Sequence, residues 1–265
     1  RTSMDSLRGR TAFVTGSTSG IGLGIARALA AAGADVALNG LGDPREIEGL
    51  VAGIARDFGV RARYHGADMS RPSEIRAGIA FVQDELEGLD ILVNNAGIQH
   101  TAWVEDFPEA QWNSILAINL SSAFFTAQQA LPRMRQRGWG RILNVASVHG
   151  LVASPMKAAY VAAKHGLVGL TKVIALETAG TGITANALCP GWVRTPLVQK
   201  QIEALAAEKR VSIEDASVLL LSAKQPSQRF VTEAELGQLA VFLCSDAARS
   251  MTGVSVPVDG GWTAQ

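Results

Sequence analysis

Seven short runs rich in strand-forming residues recur along the chain with helix-length segments between them: TAFVT, DVALN, RARYH, DILVN, RILNVAS, ITANALCP and VSVPVDGG. Most are apolar at consecutive positions, the pattern of a strand covered on both faces, and covered strands alternating with helices build a parallel sheet. The rhythm predicts an α/β fold, a single doubly wound parallel seven-stranded sheet with helices on both sides. No internal repeat or low-complexity linker interrupts residues 1–265, so one domain is expected. The one long departure is residues 195–232. Leu197, Leu205, Leu219, Leu220 and Leu221 suggest short amphipathic helices there, and Pro226 within KQPSQ breaks them. The segment reads as a helical lid inserted over a site, or else as an added packing element.

Charge excludes several functions. Lys plus Arg and Asp plus Glu number 24 each, so no basic field attracts nucleic acid or an anionic membrane surface. No run reaches the roughly eighteen apolar residues of a membrane span. Cys189 and Cys244 stand far apart without CxxC spacing, which argues against a zinc site and a disulfide framework and fits a reducing cytoplasm; no metal is expected. RTSMDSLRGR lacks the apolar core of a signal peptide, and residues 1–3 before Met4 read as a non-native addition.

After the first run comes TGSTSGIGLG. Gly16, Gly20 and Gly22, with Thr18, Ser19 and Ile21 between them, lie where a strand turns into a helix. Residues without side chains there let backbone N–H groups approach a pyrophosphate at the helix N-terminus. At the end of the second run, in ALNGLGD, Asn39 is positioned to bond a ribose hydroxyl and Leu41 to pack on adenine. Ser17, Thr18 and Ser19 offer a 2'-phosphate no positive charge, so NAD is expected over NADP, with Arg45 as the nearby cation that argues the other way. Asp68 and Met69, after the third run, are candidates for the adenine amino group; Asp68 also reads as a helix cap ahead of Pro72.

The remaining polar clusters fall at strand carboxyl ends, where open α/β sheets bind ligands. NNAG contributes Asn95, Ala96 and Gly97; Ser147 ends the fifth run; Tyr160 and Lys164 sit on the following helix; CPGWVRTP supplies Pro190, Gly191, Val193 and Thr195. With TGxxxGIG, NNAG, Asn119, Ser147, Tyr-x-x-x-Lys and PG together, the chain resembles the short-chain dehydrogenase/reductase family over essentially its whole length. That resemblance implies a Rossmann fold, hydride transfer with a nicotinamide cofactor, Asn119 anchoring a water relay to Lys164, and a homotetramer. The chemistry has its own argument. Alcohol oxidation needs a base for the hydroxyl proton, and a tyrosine of pKa about 10 serves only if that value falls. A cation about 4 Å away at an effective dielectric near 20 contributes roughly 4 kcal/mol, enough to lower the pKa by up to ~3, and Lys164 is the expected cation. Ser147 would hold the substrate oxygen.

The helix that carries Tyr160 is apolar all round, which suggests the sheet on one side and another subunit on the other. His149 and Lys157 exceed what that machinery requires. NNAGIQHTA, HGLVAS, AYVAAKHG, KQP and DGGWTA resemble the members of the family that interconvert D-3-hydroxybutyrate and acetoacetate with NAD. By that resemblance Gln99, His149, Lys157 and Gln201 hold the carboxylate, while Trp192 and Trp262 wall off the methyl end. A carboxylate leaving water needs such donors, at least one of them charged. A reductase of 3-oxoacyl thioesters and a nucleotide-sensing binding protein are the competing readings.

Overall fold

A computed structural model describes residues 7–265; residues 1–3, expected to be a non-native addition, lie outside the described residues. Seven parallel strands form one sheet: β1 (Thr11–Val14), β2 (Asp35–Leu38), β3 (Ala62–Tyr64), β4 (Ile91–Asn94), β5 (Gly140–Val145), β6 (Ile183–Pro190) and β7 (Ser255–Val258). Their order is β3-β2-β1-β4-β5-β6-β7. The order reverses between β1 and β4, and a crevice opens there at the strands' carboxyl ends. Pro257 lies on β7, an edge strand, where a missing N–H is tolerated.

Strand side chains alternate between two cores. Val14, Val36, Val93 and Leu143 pack with Ile25 and Leu29 of α1 (Gly20–Ala31), Ile54 of α2 (Pro44–Phe58), and Leu243, which lies near the chain's end. Phe13, Ala37, Leu92 and Ile142 point the other way, onto Ile79 and Val82 of α3 (Pro72–Glu85), Ala127 of α5 (Ser122–Arg137) and Ile174 of α6 (Ala158–Glu177). Burial on both faces explains the consecutive apolar runs. Short α4 (Glu109–Leu116) runs through a π turn at residues 117–121 into α5. Helix ends follow local chemistry. The Asp43 carboxylate accepts from Arg45 N and Glu46 N at the start of α2, with Pro44 in its first turn and Gly59 left-handed after its end.

Residues 195–232 do form helices, α7 (Pro196–Lys209) and α8 (Ile213–Ser222), before α9 (Glu233–Cys244) rejoins the layer beside α1. The two carry their own small core of Val198, Ile202, Ala206 and Ala216. The base of the segment is pinned: Val193 bridges Val231, and Val231 N donates to Trp192 O at 2.9 Å. The wholly buried Gln225 accepts from Trp192 N at 2.8 Å through its side chain. Cys189 and Cys244 are both free and buried. Among the described helices α6 alone has the length and apolar composition of a membrane span, and residues such as Leu167 and Ile174 are buried within the fold.

Candidate active site

A cleft of about 630 Å³ runs along the strands' carboxyl ends from Leu41 to Gln201 on α7. Every residue expected to catalyse or to bind cofactor or substrate lines it except Gly22 and Asn119.

At the cofactor end the glycine turn is built for close approach. Gly16 has φ +61°, and a Cβ there would lie 2.8 Å from Ala96 Cα. Gly22 packs beneath the turn instead of facing the cleft: a methyl group would collide with the Asn95 side chain and the Gly16 carbonyl. The Ser19 side chain makes no capping bond, so it leaves the first N–H groups of α1 to another acceptor. A cradle with no room for a Cβ and an uncapped helix N-terminus fit a dinucleotide pyrophosphate.

Asn39 departs from its expected role. Its side chain is buried, accepts from Gly16 N at 3.2 Å, and donates to His65 O at 3.0 Å and Ala67 O at 2.9 Å. Both amide protons are spent on locking the second and third βα turns against the first, so neither is left for a ribose oxygen. Asn95 is likewise occupied, donating to Thr15 O and Gly16 O. Leu41 is exposed beside the cleft, and its carbonyl accepts from the Thr18 hydroxyl at 2.9 Å. Arg45 is not among the lining residues, and among the described residues no lysine or arginine lines this end. Asp68 does not cap α3, whose N-cap is Arg71 with no side-chain bond. It lines the cleft, while its carboxylate accepts from the Ser70 hydroxyl and amide, which hold its pKa below the usual carboxylate range.

At the centre, Lys164 is buried and donates to Val145 O at 2.7 Å. Its Nζ lies 5.5 Å from the Tyr160 ring centroid. Burial pulls the Lys164 pKa down to about 8 and pushes that of Tyr160 up; a hydrogen bond from Ser147 works against the rise. The expected lowering of the Tyr160 pKa by Lys164 is therefore absent from the ligand-free site. Desolvation of both groups outweighs their attraction when the ammonium is turned toward a carbonyl.

Asn119 stands behind the cleft, in the π turn. Its carboxamide accepts from Ile98 N and donates to Ile98 O, both at 2.9 Å, so its side chain braces the loop after β4 with one of its two amide protons still uncommitted. A buried polar chain that the motifs did not announce lies deeper: Thr126 donates to Asn94, Asn94 to Asn144, and Asn144 to Thr171. It ties β4 and β5 to α5 and α6 under the reacting groups. The first Asn of NNAG carried the only signal for it.

At the far end, the imidazole of His149 meets Tyr160 and Trp262 edge to face, with centroids 5.9 and 5.4 Å apart, and Trp262 leans on Trp192 at 5.5 Å. Burial, reinforced by Lys157, lowers the His149 pKa to about 3, so the ring is neutral near pH 7. Lys157 sits over the Trp192 ring at 5.0 Å, and burial brings its pKa down to about 8. Its position is set by an unusual neighbour, Met156 at φ +65°, and by a bridge to Ala102. Two buried donors in this wall, Gln99 Nε2 and Trp192 Nε1, have no hydrogen-bond partner. A desolvated lysine that keeps its charge near pH 7, beside two buried N–H groups without partners, makes this wall one that an anionic group would suit. Lys200 also lines this end and went unnoticed in the sequence, and Leu197, read there only as a lid leucine, joins it one helical turn from Gln201 on α7, which was the available signal.

A family model described as "Enoyl-(Acyl carrier protein) reductase" matches residues 16–263. The chain is 60% identical over 259 residues to a D-beta-hydroxybutyrate dehydrogenase of Cupriavidus necator, covering 98% of this chain and 100% of the relative. It is 52% identical to a namesake of Rhizobium meliloti, covering 97% of this chain and 99% of that one. Among solved structures, the L-sorbose reductase of Gluconobacter frateurii, complexed with NADPH and L-sorbose, superposes with TM-score 0.93 at 29% identity, covering 99% and 100%. An actinorhodin polyketide ketoreductase variant with NADPH gives 0.90 at 36% identity, covering 97% and 98%.

Proposed function

Because the chain belongs to the short-chain dehydrogenase/reductase family, we propose that it oxidises D-3-hydroxybutyrate to acetoacetate, reversibly, with NAD as hydride acceptor. The observation that carries the substrate assignment is the wall of Lys157, Gln99 and Trp192, a desolvated cation between two unpartnered buried donors. A carboxylate entering there would find one charged and two neutral donors, with Gln201 reaching in from α7 and Trp262 closing the apolar side. A thioester has no charge to spend on Lys157, which disfavours the acyl reductase reading.

NAD is preferred because, among the described residues, no cation lines the ribose end of the cleft, where a 2'-phosphate would need one. The bound oxidised nicotinamide supplies a positively charged hydride acceptor, and its charge favours the Tyr160 phenolate that burial alone disfavours. Ser147 orients the substrate oxygen, Tyr160 Oη takes the hydroxyl proton as the carbonyl forms, and Lys164 would stabilise the phenolate only by turning its ammonium from the Val145 carbonyl toward Tyr160. His149 remains neutral and acts as a hydrogen-bonding wall. The copies are assigned to a homotetramer in the cytoplasm, in keeping with the exposed apolar Phe124, Val173 and Leu176 on α5 and α6.

Lys157→Ala tests this reading. A hydrogen bond to a charged group contributes about 1.5–3 kcal/mol, so kcat/KM for the acid should fall at least roughly 10-fold, while the methyl ester, already a poor substrate, should lose little. Equal losses for acid and ester would make Lys157 a support of α6 and return the assignment to a broader short-chain reductase.

A further inference from the structure

The reacting groups are followed by a chain of polar atoms that leads away from the cofactor. Tyr160 and Ser147 both line the cleft, and the Ser147 hydroxyl opposes the burial-driven rise of the Tyr160 pKa. Ser147 Oγ accepts from His149 N at 3.1 Å and lies 3.5 Å from His149 Nδ1. On the opposite side of the ring, His149 Nε2 is 2.9 Å from Ser154 Oγ. Ser154 lies in the half-exposed loop before α6 and is not among the residues lining the cleft.

Counting protons assigns the ring. A serine hydroxyl has one proton and two lone pairs, and a neutral imidazole has one N–H and one acceptor nitrogen. If His149 carried its proton on Nε2, then Nδ1 would be an acceptor competing with Tyr160 and the substrate for Ser147's only proton. If the proton is on Nδ1, every group is satisfied. Ser147 Oγ then accepts twice, from His149 N–H and Nδ1–H, and its single proton is free for the phenolic or substrate oxygen. That arrangement requires a donor at Nε2, and the Ser154 hydroxyl is at hydrogen-bond distance. Burial beside Lys157 keeps a second proton off the ring, so one tautomer has to be chosen.

We propose that Ser154 is a positioning residue for the reaction: by donating to His149 Nε2 it fixes the Nδ1–H tautomer, which aims the Ser147 hydroxyl proton at Tyr160 and the substrate oxygen. The proposal rests on the reading of Ser147 and Tyr160 as the reacting pair, and it gives His149 a task beyond contact with the carboxylate. Removing the Ser154 hydroxyl leaves Nε2 without its donor. The tautomers then mix, and Ser147 divides its proton between Nδ1 and Tyr160.

The test uses full-length, ligand-free protein labelled with ¹⁵N-histidine. Long-range ¹H–¹⁵N correlations report the tautomer, and the His149 signals are identified by their loss in His149→Gln. The parent should show Nδ1–H at His149. Ser154→Ala should shift the pattern toward Nε2–H, with kcat down about 3- to 10-fold, the value of one ordinary hydrogen bond, and KM for the acid within about 2-fold. Ser154→Thr, which restores the hydroxyl, should recover both the tautomer and kcat. An Nε2–H parent, or an unchanged tautomer in Ser154→Ala, overturns the proposal. The tautomer is read without substrate, so failure of the parent to oxidise 3-hydroxybutyrate would count against the functional reading alone.

Discussion

Lys157 is the residue on which selectivity turns, and its titration is accessible to experiment. Burial brings its pKa from 10.5 to about 8, so the ammonium is intact below about pH 8 and is lost as the pH rises through that value. The proposed clamp needs the charge. KM for 3-hydroxybutyrate should therefore climb above about pH 8, whereas Lys157→Arg, which stays protonated, should show a flat KM over the same range. A parent KM that is constant to pH 10 would remove Lys157 from carboxylate binding. Residue types and their spacing made Tyr160, Lys164 and Ser147 legible in the sequence, because a base, a cation and an oxygen ligand must cluster at strand ends. The commitments of Asn39, Asn95 and Asn119 were not legible. An asparagine facing a ligand and one spending its amide on a neighbouring loop look the same until the loops are folded together. The Tyr160–Lys164 coupling was misjudged for a related reason: helical spacing fixes proximity, while the direction of the ammonium depends on the Val145 carbonyl across the sheet end.

At the scale of elements, the seven strands were readable because burial on both faces leaves no polar alternation, and the caps of α2 and α9 are written in Asp43-Pro44 and Thr232 with Glu235. The π turn at 117–121 left no such mark, since it arises where Asn119 is drawn to Ile98 by contacts remote in sequence. The helices of residues 195–232 pack mainly on each other and hang from Trp192, Gln225 and Val231. A segment with its own small core and a pinned base can swing as a unit, so we assign it as the lid that brings Gln201 onto the substrate. Amide exchange within residues 195–232 should slow when cofactor and substrate are both bound, and less with either alone. Identical exchange in all three states would make the segment a fixed packing element.

For the whole molecule, α6 carries both Tyr160 and Lys164 and, toward its end, the exposed Val173 and Leu176. Leu176 is 79% exposed and Val173 50%, surface that a second copy would cover. Sedimentation should give a species of four chain masses; a stable monomer at micromolar concentration would contradict the assignment. The account stands most directly on one assay: initial rates of NAD reduction with D-3-hydroxybutyrate, for the parent and for Tyr160→Phe. The parent should turn over, preferring this acid to its methyl ester and NAD to NADP. Tyr160→Phe should lose roughly 10²- to 10⁴-fold in kcat while still binding NAD, because it lacks the proton acceptor and keeps the glycine cradle. A parent inactive on the acid, or a Tyr160→Phe variant with near-parental rate, would contradict it.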